Sequence, residues 1–90
     1  MDNEQDFSLT VNVVLTELKR ATKKFGAFNS PHEGISIIRE EYMELEHEVY
    51  WGENSDFMAA EAIQLAAMAL RFLHDCCGCP DAMLKEAEDV

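Results

Sequence analysis

The chain has 90 residues, of which 48% are hydrophobic, and it carries 18 acidic against seven basic residues, for a formal net charge of −11. A chain of this length and composition fits one small folded domain with a modest core, and we expect a single domain over 1–90. The strong negative charge argues against nucleic-acid backbones and anionic membranes as partners. A polyphosphate remains compatible with it if a divalent cation lies between the two.

Cysteine usage and the chain start favour a cytoplasmic location. The three cysteines are an odd number gathered near the end of the sequence, which does not suit a disulfide framework. The first residues, MDNEQDF, are acidic and unlike a signal peptide. The longest apolar run, Phe57 to Leu73, contains Glu61 and Gln64 and is short for a membrane span.

The first predicted helix runs from about Ser8 to Phe25 and ends at Gly26. Lysines concentrate near its C-terminal end, where the helix dipole favours positive charge. Several valines near its beginning leave a strand there as an alternative. The apolar positions at helical spacing are Leu9, Val13, Leu18, Ala21 and Phe25.

The second predicted helix begins at a capping box, Ser30-Pro31-His32-Glu33, and ends between Trp51 and Gly52. A third runs from near Ser55 to about Cys76, and a short fourth from Pro80 to about Glu88. We therefore predict an all-α fold of the helical-hairpin or four-helix-bundle type. Because the third helix is apolar on nearly every side, we expect oligomerisation to complete the core.

Acidic residues of the second helix gather on an arc about 100° wide beside the apolar stripe of the same helix. The stripe is formed by Ile38, Tyr42, Leu45 and Val49, and the arc by Glu40, Glu41, Glu44 and Glu48. The third helix has one narrow polar line, which contains Glu61, Gln64, Arg71 and Asp75.

A buried carboxylate needs a partner or a metal ion, and packing the two helices together would bring Glu61 to Glu41 and Glu44. Such a cluster repels itself unless a cation fills it. Hard oxygen ligands at this spacing favour Mg²⁺ or Mn²⁺. The alternative is a solvated acidic face, in which like charges cost only a few tenths of a kcal/mol each.

These residues resemble the MazG-like all-α nucleoside triphosphate pyrophosphohydrolases. That family has EExxE on one helix and ExxD on the next; here the first motif is Glu40 to Glu44, and the second is Glu61 to Gln64, with glutamine in place of aspartate. The stretches FNSPHEGISIIREEYMELEHEVYW and AEAIQLAAMALRFL are similar to a small phage- and bacteria-associated branch, so the resemblance covers about Phe25 to Leu73.

The resemblance implies hydrolysis of a nucleoside triphosphate, ribo- or deoxyribo-, to the monophosphate and pyrophosphate, in a site often completed by a second subunit. It makes Glu41, Glu44, Glu61 and Gln64 the magnesium ligands, with Glu40 and Glu41 the catalytic carboxylates. Gln64 can still coordinate through its carbonyl but carries no charge. A weakened site, a single metal ion or a non-catalytic nucleotide- or metal-binding oligomer are the alternatives.

Three further residues are candidate substrate contacts. Arg71 follows Gln64 on the same polar line and can meet phosphate, His32 lies at the helix cap, and Trp51 can stack on a base or serve as core. We expect a homodimer or homotetramer.

Two other metal sites are possible from the sequence. Glu44-x-x-His47 has the spacing of di-iron carboxylate bundles, and the segment from His74 to Cys79 offers zinc ligands, although its adjacent cysteines diverge on a helix end.

Overall fold

The computed structural model describes residues 6–78, which form three α-helices: α1 (Ser8–Phe25), α2 (Pro31–Trp51) and α3 (Ser55–Cys77). This part of the chain contains no strand, so the predicted all-α class is confirmed and the alternative strand at the start of α1 is not formed. The bounds of α1 and α2 agree with the prediction, and α3 is one residue longer. The predicted fourth helix lies outside the described residues.

The helix ends follow local signals in the sequence. The Ser30 hydroxyl accepts a hydrogen bond from the Glu33 backbone N–H at 3.1 Å, and Pro31 occupies the first turn of α2, as predicted. In a capping box the glutamate carboxylate normally accepts a hydrogen bond from the backbone N–H of the N-cap residue. Here the Glu33 carboxylate accepts instead from the backbone N–H of Asn29, one residue earlier, at 2.9 Å. At the other end of the fold, α3 stops at Gly78, which adopts the left-handed conformation at φ +73°.

Helix α3 is the centre of the described structure. Both α1 and α2 pack against α3, whereas within residues 6–78 they do not pack against each other. The buried apolar core of the described residues is small and consists of Ala21, Phe28, Ala67 and Met68. Half-buried side chains extend it: Val14, Leu18, Ile37, Ile38, Phe72 and Cys76.

Two expectations about burial need correction. Tyr42 and Val49, predicted to lie on the buried stripe of α2, are 52% and 55% exposed, because the contact with α3 runs along a neighbouring line through Gly34, Ile37 and Glu41. Within residues 6–78, helix α3 is flanked by α1 and α2 and is not covered on all sides either. Its exposed large apolar side chains are Phe57, Met58, Leu70 and Leu73.

None of the three helices in residues 6–78 combines the length and the apolar composition needed to cross a membrane.

The close approach of α2 to α3 depends on Gly34. A Cβ atom built at this position would lie 2.6 Å from a ring carbon of Phe72 and 3.1 Å from one of Phe28. We expect Gly34→Ala to lower the free energy of unfolding by about 1–2 kcal/mol, because overpacking outweighs the gain of up to about 1 kcal/mol in helix propensity. Urea unfolding followed by circular dichroism measures this. Ser36→Ala, at an exposed position of the same helix, is the control and should change stability by less than about 0.5 kcal/mol.

Candidate functional site

Three carboxylates from two helices converge beside the α2–α3 contact. Glu41 and Glu44 lie on α2, Glu61 lies on α3, and one oxygen from each is within 4.8 Å of the others. We call these three residues the acidic cluster. The predicted meeting of acids from the two helices is thus confirmed.

The register of the helical hairpin explains why these positions meet. Helices α2 and α3 are joined by only three residues, 52–54, so they run back along each other. Glu44 lies seven residues before the end of α2 and Glu61 six residues after the start of α3, which places both about 10 Å from the turn. Glu41 is one helical turn further along the same face as Glu44.

Burial and mutual repulsion make the negative charge of the acidic cluster unfavourable. Desolvation, followed by the charges of Glu44 and Glu61, raises the pKa of the half-buried Glu41 carboxyl from 4.5 to about 7. The pKa of Glu61 is also raised, first by desolvation and then by its contact with Glu44 and the charge of Glu48. Glu44 itself is exposed, so the cluster opens to solvent on one side.

The unpartnered oxygens in the acidic cluster fit a bound cation. One carboxylate oxygen of Glu41 and one of Glu61 are buried without any hydrogen-bond partner. Buried polar atoms are normally satisfied, and an unpaired one costs about 1–3 kcal/mol. A divalent ion would coordinate these oxygens and cancel the repulsion, while the open side at Glu44 leaves room for water or substrate ligands.

Gln64 lies one turn beyond Glu61 and faces two neighbours. It lines a cavity together with Glu40 and Glu41. It also lies near Glu17 of α1, whose pKa is lowered first by the contact with Arg20 and further by the nearby Gln64 amide. A glutamine amide can donate to a carboxylate, which an aspartate at this position would not do when ionised. Its predicted role as a metal ligand stays a prediction.

The cavity that contains Glu41 has a volume of about 340 Å³, within the range of small-molecule pockets. We call it the loop cavity, because residues of the α1–α2 connection form one wall. Its lining comprises Ala21, Phe25, Ala27, Phe28, Asn29, Glu33, Ile37, Glu40, Glu41, Gln64, Met68 and Arg71. The lining therefore combines three carboxylates with two aromatic rings and one arginine.

Arg71 is the only buried charged residue in the described part of the chain, with 5% of its surface exposed. Its guanidinium lies 4.2 Å from the centre of the Phe28 ring, donates to the Gly26 carbonyl at 2.6 Å and contacts the Met68 sulfur at 3.2 Å. Its Nε has no partner. Arg71 thus ties α3 to the α1–α2 connection while it contributes positive charge to the loop cavity.

Of the other predicted site residues, one lines the loop cavity and two lie outside it. Glu40 is exposed and lines it. His32 lines a separate shallow depression with Pro31, Ile35 and Phe72. Trp51 is 71% exposed at the end of α2, where it packs near His47 and Tyr50. The roles of His32 and Trp51 as substrate contacts stay predictions.

The two alternative metal sites gain no support from residues 6–78. The acidic cluster is the only group of three potential His, Cys, Asp or Glu ligands found there. The His47 side chain is 68% exposed and lies 3.9 Å from Glu48, outside the cluster. His74 pairs with Asp75 at 2.9 Å, and Cys79 lies outside the described residues.

Sequence reasoning missed Phe28 and Asn29 as residues of the loop cavity. Both lie in the short connection between α1 and α2. Helical periodicity does not apply there, so it does not predict which way their side chains point. A signal was present in the capping box, because its Glu33 carboxylate accepts hydrogen bonds from the Asn29 backbone N–H and side-chain amide.

Comparison with known proteins finds no matching protein family, no matching curated protein and no matching solved structure.

Proposed function

We propose that this protein is a magnesium-dependent nucleoside triphosphate pyrophosphohydrolase, which converts an NTP or dNTP to the monophosphate and pyrophosphate. The observation that carries the proposal is the convergence of Glu41, Glu44 and Glu61, with two buried oxygens that have no partner. Manganese suits the same ligands.

The adjoining loop cavity supports a nucleotide as the substrate. Glu41 belongs to both the acidic cluster and the cavity wall, so a phosphate chain in the cavity would lie beside the carboxylates. Arg71 offers positive charge to the phosphates, and the Phe28 ring with the Asn29 amide offers apolar and polar contacts for a base. This arrangement needs a cation, since an anion would otherwise meet Glu40, Glu41 and Glu33.

The chemistry divides between the ion and the chain. A bound divalent cation would neutralise the phosphate charge and acidify a coordinated water. Glu41, Glu44 and Glu61 would hold the ion in place. Glu40, exposed on the cavity wall, would orient the attacking water and accept its proton.

Exposed apolar surface supports a homodimer or homotetramer. Sixteen large hydrophobic side chains of residues 6–78 are more than a third exposed. Five of them flank the α2–α3 turn: Val49, Tyr50, Trp51, Phe57 and Met58. Soluble monomers rarely leave so much apolar surface uncovered, and a second copy would bury it.

Gln64 favours a second candidate function, a non-catalytic oligomer that binds a nucleotide or a metal ion. Glutamine in place of a fourth carboxylate leaves three carboxylates in the acidic cluster, and its amide lies near Glu17 of α1. Such a protein would bind magnesium without turning over any triphosphate.

Pyrophosphate release from a panel of ribo- and deoxyribonucleoside triphosphates with magnesium tests the proposal. We expect turnover of at least one substrate, and Glu61→Gln should reduce it by more than about 100-fold, because even outer-shell partners of a metal contribute 10- to 100-fold. Glu53→Gln removes an exposed carboxylate outside the acidic cluster and should leave turnover unchanged. Magnesium binding without turnover would overturn the enzyme and leave the non-catalytic oligomer.

A further inference from the structure

A second cavity lies between α1 and α3, on the other side of Arg71 from the loop cavity. Its volume is about 400 Å³. We call it the α1–α3 cleft, and its lining consists of Leu18, Lys19, Thr22, Lys23, Arg71, His74 and Asp75. None of the carboxylates of the acidic cluster belongs to this lining.

The cleft concentrates positive charge in an otherwise acidic protein. Four of the seven basic residues of the chain fall between positions 19 and 24. Of these, Arg20 is paired with Glu17 at 2.6 Å, and Lys24 lies over the Phe25 ring. Lys19 and Lys23, one turn apart on α1, line the cleft, and neither has a carboxylate within ion-pair distance in residues 6–78.

The floor of the cleft contributes a further cation. Arg71 is 95% buried, and its Nε lacks a partner, which is unusual for a buried donor. Asp75 is the single carboxylate in the lining, and both of its oxygens are engaged, one with His74 at 2.9 Å and the other with the Phe28 backbone N–H at 3.0 Å. The lining thus contains three cationic residues and one carboxylate that already has partners.

We propose that the α1–α3 cleft is a second ligand site, which binds a small phosphate-bearing anion without a metal ion. Lys19 and Lys23 would contact the phosphate oxygens from the rim, with Arg71 below them. Leu18 and the apolar stems of the lysines would contact the remainder of the ligand. The concave shape and the volume fit a small molecule, and the net charge of −11 disfavours a nucleic acid.

Calorimetric titration with pyrophosphate in magnesium-free buffer tests this site apart from the proposed hydrolysis, since no metal and no turnover are involved. We expect binding that weakens with added salt. The double variant Lys19→Gln/Lys23→Gln should raise the Kd by at least about tenfold, because it removes two charge-assisted contacts.

The double variant Lys24→Gln/Arg39→Gln is the matched control. It removes the same charge from exposed positions outside the cleft and should leave the Kd within about twofold. Equal weakening in both variants, or no binding by the unmodified protein, would overturn the proposal. Parallel titrations with inorganic phosphate and a nucleoside monophosphate distinguish the two sources of the anion, because only the latter uses the apolar wall.

Discussion

Replacing Glu41 with glutamine should stabilise the metal-free protein at pH 8 by about 1–2 kcal/mol, after allowance for solvent screening of a half-buried group. The Glu41 carboxyl has a pKa of about 7 in the folded protein against 4.5 ordinarily, because it is desolvated and lies beside Glu44 and Glu61. At pH 8 it is charged and repelled, whereas glutamine is neutral. The melting temperature should rise by about 4–8 °C per kcal/mol for a domain of this size.

The raised pKa of Glu41 makes the free energy of unfolding depend on pH. Between pH 4.5 and about 7 the folded protein holds a proton on Glu41 that the unfolded chain has released. The free energy of unfolding should therefore fall as the pH rises through this window and stay low above it. The Glu41→Gln variant should lack this decrease in the free energy of unfolding. Near pH 4 the variant and the unmodified protein should be equally stable.

With magnesium, the unmodified protein should become more stable than the Glu41→Gln variant. At pH 8 magnesium should raise the melting temperature of the unmodified protein and have little effect on Glu41→Gln, since one ligand charge is lost. Glu53→Gln, at an exposed position between α2 and α3, should respond like the unmodified protein. A metal-free Glu41→Gln protein that is less stable at pH 8 would show that the acidic cluster is not repulsive.

Arg71→Ala should lower the free energy of unfolding by about 2–4 kcal/mol, as a charge-assisted hydrogen bond, a cation–π contact and buried stem packing are lost together. The affected partners are the Gly26 carbonyl at 2.6 Å and the Phe28 ring at 4.2 Å. Urea unfolding monitored by circular dichroism measures the loss.

Arg71→Met separates packing from charge. Methionine fills much of the same volume and removes the unpartnered Nε, so we expect no more than about half of the loss seen with alanine. Equal losses in the two variants would assign the stabilisation to the guanidinium contacts alone. A cost below about 0.5 kcal/mol for alanine would contradict the role of Arg71 in joining α3 to the α1–α2 connection.

Local signals allowed the helices to be predicted closely. Ser30, Pro31 and Gly78 mark helix ends through their own hydrogen bonding and backbone preferences, which need no tertiary context. The pairing of Glu61 with Glu41 and Glu44 was also predictable, since a three-residue turn fixes the register of the hairpin.

The face of α2 that packs against α3 was less predictable. Tyr42 and Val49 look like core residues on a helical wheel, yet both are more than half exposed. A wheel shows which residues share a face, but the contact line depends on where the neighbouring helix lies. Here Gly34 admits the Phe72 ring and shifts the α2–α3 contact to its own side of the helix.

By itself, the sequence determined the all-α class, the helix bounds and the acids able to meet, because these follow from periodicity, caps and turn length. Only the tertiary structure decided that α1 and α2 flank α3 without touching, and that Arg71 is buried between two cavities. It also decided that Gln64 lines the loop cavity together with Glu40 and Glu41. These features depend on contacts between residues distant in the chain, which local patterns do not encode.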